Sequence, residues 1–385
     1  MAFLRNSTVN LLNLHYGVHA LALSGGGAFF AAFLLHAGVP APAVLASLAL
    51  ILAGRFVIRP FILRLAIRWG LKPLVIAGTM LVGLEYPLLA EVHGVGWDLL
   101  ALCALSAIGD TFYWTSYHAY FAALGDAAHR GHQIAAREAA AAVIGIVGPL
   151  ATGWALTALG PRIAFGATAV VLLVAALPLF KTPNVAIAKV APGALRAAIP
   201  GMLLFAADGW IGAGLTMIWP VALFLSLGQS FTAFGGAMAL AALAGAVSGL
   251  VLGRLIDAGH GGRAVWLAAG VLTITILLRA ASYGNPVWAV AANAVGALVT
   301  AFHVPALMTA VYNQAKQSPC ALRFHIATEG SWDAGAASAC MVAAGLLWAG
   351  APMAVGLLLS LLGVAAVFVL LRRYYGAMEA APAAA

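Results

Sequence analysis

PMAVGLLLSLLGVAAVFVLLRR, residues 352–373, runs from Pro352 to Leu371 without a charged side chain and then meets Arg372 and Arg373. A helix needs about 20 apolar residues to cross a hydrocarbon core of about 30 Å, because every backbone N–H and C=O must be satisfied within the segment there. The stretch therefore reads as a membrane-crossing helix with arginines at its exit. The rest of the chain follows suit. Of 385 residues, 64% are hydrophobic and 8% charged, with a mean hydropathy of +1.03, whereas a soluble domain carries about 25% charged residues. That composition excludes a soluble globular protein. The net charge of +8 forms no dense basic stripe with interleaved aromatics, so no nucleic-acid partner is expected.

Working outward from residues 352–371, apolar runs of similar length predict spans over 12–36, 41–62, 73–92, 97–122, 134–159 and 162–180. Six more are predicted over 199–227, 231–253, 264–281, 286–312, 325–348 and 352–371. Between the two sets, KTPNVAIAKVAPGALR is the only long polar, proline-containing break, which marks a linker. The expectation is an all-α integral membrane protein of about twelve helices, with bundles at 1–180 and 199–385 and a cytoplasmic linker at 181–198. With the N-terminus inside, every Lys and Arg except Arg162 and Arg279 falls in or near a cytoplasmic end, as short cytoplasmic loops require. A wrong span count would scramble that alternation, so both termini are expected in the cytoplasm, with the chain in a plasma or inner membrane. The first apolar run is too long for a signal-peptide core and carries one preceding charge, Arg5, so it reads as a retained helix. Cys103, Cys320 and Cys340 show neither CxxC spacing nor an even framework, which points to neither a metal nor disulfides.

The halves resemble each other weakly. A constant shift aligns Gly38 with Gly228 and Arg64 with Arg254; a slightly larger one aligns Arg130-Gly-His132 with Arg323-Phe-His325 and sets Asp110 opposite His303. Equal span counts with such matches favour a duplicated six-helix unit.

Two motifs sharpen this. Between the eighth and ninth spans stands Gly253-Arg254-Leu-Ile-Asp257-Ala-Gly-His-Gly-Gly-Arg263, and its counterpart in the first half holds Arg64, Arg68 and Lys72 with Ile67 at the acidic position. In the fifth span, Gly145-Ile-Val-Gly148-Pro149-Leu-Ala-Thr152-Gly153 combines small residues, which allow close helix approach, with a proline that loosens the backbone. Together with the six-plus-six layout, these stretches resemble the major facilitator superfamily. The first resembles its gating loop and the second the glycine-proline signature of its antiporters. The resemblance implies two bundles rocking about a central site, with the first, fourth, seventh and tenth helices lining it.

An ionisable group at the bilayer centre costs about 2.5–3.5 kcal/mol on insertion scales, so such residues normally face a partner or a wet cavity. Asp110 lies mid-span, with Tyr113, Tyr117 and Tyr120 following at spacings of three and four. These residues share one helix face, suited to an amphipathic or aromatic solute. His15 and His19 are one turn apart on the first span, and no third ligand nearby supports a metal. Asp208 and Trp210, Asn293 and His303 complete the expected substrate contacts, histidine being the side-chain type that changes charge between about pH 5 and 8. Glu329 and Asp333 share a face at i, i+4, where close carboxylates favour protonation of one of them. They join Asp110 and Glu85 as proton-coupling candidates. Glu85 is also expected to pair with Arg55 or Arg59, although snorkelling is the simpler account of those arginines.

The sequence thus predicts a proton-coupled secondary transporter of a small organic solute, export by antiport being favoured over uptake. It is expected to act as a monomer with protons and lipid as its other partners, and with no cofactor. Rival readings are an importer of a metabolite or metal chelate, a membrane-embedded enzyme, and a non-transporting receptor. No HExxH, GxSxG or GxxxxGK[ST] motif supports catalysis or a nucleotide-driven pump.

Overall fold

The structure is a computed structural model describing residues 6–124, 130–256 and 261–380; side chains at 122, 130–142, 249–256, 261–262, 300–301, 321 and 377–380 fall outside that description. All regular elements among the described residues are helical. They gather into twelve rods: α1 (Ser7–His36), α2 (Ala41–Trp69), α3 (Leu71–Ala90), α4 (Trp97–Leu124), α5 (Arg130–Ala158) and α6 (Pro161–Lys181) come first. Then follow α7 (Ala194–Ser226), α8 (Phe231–Ile256), α9 (Gly261–Ser282), α10 (286–317), α11 (Ala321–Trp348) and α12 (353–380). Eight of these, α1 to α3, α6 to α9 and α12, are long and apolar enough to cross a membrane. The other four hold Asp110 and its tyrosines, the glycine-proline stretch, His303, and Glu329 with Asp333. Polar side chains dilute α4 and α11, while α5 and α10 contribute the shorter apolar segments Val143–Ala158 and Pro286–Gly296. Leu84, Val147, Ile163, Leu203 and Leu362 are each more than half exposed, the outward apolar surface of a multi-pass membrane protein rather than of a soluble one.

Local chemistry starts and stops these rods. Asn6 and Asn285 cap α1 and α10 by accepting from the N–H groups of Val9 and Trp288, satisfying donors that have no partner within the helix. Pro161 and Pro286 stand at first-turn positions, where the missing N–H costs nothing. The turn between α2 and α3 is made by Gly70 at φ 82°, a conformation open to glycine at no steric cost. Where hydropathy predicts that the second span ends at 62, α2 runs on to Trp69 with Pro60 inside it; Arg59, Arg64 and Arg68 interrupt the apolar run but not the helix.

The chain divides into two compact units. One comprises the chain up to Val190 together with Gln229–Leu240, the start of α8; the other comprises Ala191–Gly228 and the chain from Ala241 onward. In the first, a Cβ on Gly25 would lie 2.7 Å from Thr152 Oγ1, one on Gly148 3.1 Å from the Gly25 nitrogen, and one on Gly153 2.6 Å from the Phe231 carbonyl. Small residues here let α1, α5 and the start of α8 meet closely. In the second, Leu204, Ile211, Leu272, Leu307, Phe324 and Val367 form a buried core. Gly209 and Gly335 bring α7 and α11 together so tightly that a Cβ would collide with the Trp332 and Ala206 carbonyls.

Candidate functional site

In the first unit the polar side chains of α1 and α4 interlock. His15 Nδ1 lies 2.7 Å from the Ala175 carbonyl, so it carries the proton and donates, while Nε2 stands 3.1 Å from the Tyr113 hydroxyl and accepts from it. His19 stacks on Tyr113 with ring centroids 3.9 Å apart and planes 10° from parallel. It is 1% exposed, and neither ring nitrogen has a hydrogen-bond partner. Tyr113 and Tyr117 stack at 5.4 Å, and Tyr16 stacks on Tyr117 at 5.7 Å. Gly78 lets α3 pack closely against α4 at this level, where a Cβ would collide with the Tyr113 backbone.

The face predicted for α4 fans out across three neighbours. Tyr113 and Tyr117 turn to α1. Asp110 accepts from Arg55 Nη1 of α2 at 3.2 Å, and the pair is only 25% and 15% exposed, respectively. Tyr120 reaches the linker, its hydroxyl 2.6 Å from Thr182 Oγ1 and donating to the Pro183 carbonyl. Glu85 is buried on α3. Snorkelling is corrected for Arg59: it is 2% exposed and donates to Thr115 Oγ1 at 2.9 Å, because the helix continues past it and packs against α4.

In the second unit three separate helices build a cluster around one carboxylate. Asp208 Oδ1 of α7 lies 2.6 Å from His303 Nε2 of α10, and Oδ2 accepts from the Trp332 indole of α11 at 3.0 Å. His303 is buried and its Nδ1 has no partner. Trp210 points elsewhere, donating to the Leu359 carbonyl at 2.9 Å, and Asn293 accepts from the Trp219 indole at 2.9 Å. Asp333 is fully buried and Glu329 half-buried on α11.

The gating stretch is described only in part. Asp257 lies outside the described residues, as do the side chains at Gly253 and Arg254, while Arg64, Arg68 and Arg263 are exposed. In the first half, where Ile67 replaces the acid, the linker holds the α2–α3 turn. Asn184 accepts from the Lys72 N–H and donates to the Trp69 carbonyl, and Lys72 Nζ donates to the Phe180 and Thr182 carbonyls. No cluster of His, Cys, Asp and Glu among the described residues could hold a metal ion.

The arrangement places an acid beside a guanidinium in one unit and beside an imidazole and an indole in the other. Sequence reasoning missed Trp332 and the partner of Asp110. A mid-helix tryptophan needing an acceptor for its N–H was the one signal for the former.

The family model described as "Major Facilitator Superfamily" matches residues 12–315. No curated protein sequence matches significantly. Among solved structures, the chain is similar to a POT family transporter in complex with 5-aminolevulinic acid, at 10% identity and TM-score 0.70, covering 94% of this chain and 95% of that one. It is similar to the POT family transporter PepTSo at 11% identity and TM-score 0.70, covering 96% and 99%. An auto-inhibited POT family peptide transporter matches at 12% identity and TM-score 0.67, covering 98% and 97%. At these identities the likeness is one of fold.

Proposed function

We propose that this chain, which belongs to the Major Facilitator Superfamily, is a secondary transporter that carries a small organic solute by alternating access, driven by protons. The observation that carries the reading is the gathering of intramembrane ionisable groups into one cluster per unit, Asp110 with Arg55 and Asp208 with His303. Keeping such groups in an apolar bundle is costly and is normally tied to a substrate or proton route. Twelve crossings in two six-helix bundles, 1–180 and 199–385, with both termini in the cytoplasm of a plasma or inner membrane, complete the picture, with the monomer as the working unit. Export by antiport is favoured by Gly148, Pro149 and Gly153, which sit at the seam of α1, α5 and α8.

The part-exposed carboxylates of Asp110 and Asp208 suit a solute with a cationic or zwitterionic group. The structures of similar fold supply first probes: 5-aminolevulinic acid and short peptides. Purified protein in liposomes, with an imposed pH gradient and solutes followed by mass spectrometry, tests the reading. Protein-dependent solute flux that reverses with the gradient is expected. Chemical conversion of a solute without flux would make the chain an enzyme, and binding without either would make it a receptor.

A further inference from the structure

Three helices of the second unit are interrupted. α7 takes a π turn over Ala213–Ile218, α10 breaks between Gly296 and Val299, and α12 breaks at Leu359. The interruptions meet one another. Trp210 satisfies the Leu359 carbonyl, and Gly214 in the π turn packs so closely on Ser360 that a Cβ would collide with its hydroxyl. Among the described residues, one charged side chain is seen to join this assembly, Arg279 of α9.

Arg279 is 6% exposed. Nη1 donates to the Leu215 carbonyl of the π turn at 3.1 Å, the guanidinium lies over the Trp219 ring at 4.9 Å, and a Cβ on Gly296 would collide with Nη2. Trp219 is fixed in turn by its indole bond to Asn293 of α10. No carboxylate pairs with Arg279 among the described residues, and its Nε has no partner. A buried charge without a counter-ion is expensive. What offsets that expense here is a carbonyl in a π turn, where the hydrogen-bond register changes, a ring face, and the carbonyl-rich ends of α9 and of the first segment of α10.

We propose that Arg279 is a positioning residue, a clasp that holds the π turn of α7 against the break in α10 and so sets the frame in which Asp208, His303 and Trp332 meet. A planar guanidinium can bond a carbonyl, cover a ring and lie flat on a glycine at once; an ammonium cannot. Methionine of similar length supplies neither donor nor charge.

Two native thiols test this. Cys340 of α11 is buried with its sulfur 3.5 Å from that of Met217 in the π turn, whereas Cys103 is buried on α4 in the other unit. N-ethylmaleimide labelling of each is read by peptide mass spectrometry on intact protein. In Arg279→Met and in Gly296→Ala, which keeps the charge but displaces it, Cys340 labelling is expected to rise about tenfold or more, as local opening rather than global unfolding would give. Arg279→Lys falls between. Cys103 stays at its wild-type rate, and Arg279→Met/Gly296→Ala labels no faster than the faster single variant. Unchanged Cys340 labelling in both variants would overturn the clasp, as would Cys103 rising in proportion or additive effects in the double variant.

Discussion

Asp110 in the first unit is met by a guanidinium 3.2 Å away, whereas Asp208 in the second is met by an imidazole at 2.6 Å and an indole at 3.0 Å. A guanidinium offers a planar fork of N–H donors, while an imidazole and an indole offer single ring nitrogens. One carboxylate therefore meets a cation and the other two rings. The surroundings differ likewise: rings stack between α1 and α4 in the first unit, while the Asp208 cluster is drawn from three separate helices. Two units of weakly similar sequence thus hold unlike chemistry around their carboxylates.

The largest effect is expected at Asp110. Asp110→Asn removes the charge that Arg55 meets at 3.2 Å, lowers thermal stability and abolishes proton-driven flux. Arg55→Met/Asp110→Asn removes both charges and should regain most of the melting temperature in detergent without regaining gradient-driven flux. Gradient-driven flux retained in Asp110→Asn would move the proton role to Asp333 or Glu329. At the second cluster, His303→Gln keeps a hydrogen-bond partner for Asp208 whereas His303→Leu removes it, so initial rates in proteoliposomes should fall further in His303→Leu. Equal loss in both variants would mean that the bond to Asp208 carries no weight.

Smaller effects test the packing behind each cluster. Gly78→Ala forces a Cβ against the Tyr113 backbone and Gly209→Ala against the Trp332 carbonyl, and each should cost about 1–3 kcal/mol as overpacking, measured as loss of thermal stability. Gly78→Ala should disturb only the first cluster and Gly209→Ala only the second, by tyrosine and tryptophan fluorescence respectively. The smallest effect belongs to an exposed pair at the ends of α3 and α6. Arg162 grips Glu91 with two bonds of 2.8 and 2.9 Å and holds its carboxyl below the usual range. A carboxyl depressed in the folded state stabilises above its unfolded pKa and loses that contribution as pH falls through the folded one. Glu91→Gln should slightly lower stability at neutral pH and flatten the acid limb of the stability profile, with an effect further reduced by salt.

The fold was legible because solvent and lipid impose it residue by residue. Runs such as 352–371 mark helices, and prolines and asparagines such as Pro286 and Asn285 mark their starts. Helix ends were less legible: Arg59, Arg64 and Arg68 lower hydropathy without ending α2. Within the sites, sequence spacing shows only neighbours on one helix, such as His15 and His19 or Tyr113 and Tyr117. Partners across helices, Asp110 with Arg55 and Asp208 with Trp332, lie 55 and 124 residues apart, and local periodicity carries no information about them. Arg279 stood out in sequence only as a cation on the wrong side of the charge pattern; its environment required the interruptions in α7 and α10, which composition does not foretell.

Proton movement coupled to solute movement is the most direct measurement, made with a pH-sensitive dye sealed in proteoliposomes while a solute gradient is imposed. Wild-type protein should move protons only when a carried solute is present, and Asp110→Asn should move none. Solute crossing at an undiminished rate with no proton signal, or an identical signal from the variant, would contradict the assignment of coupling to these buried acids.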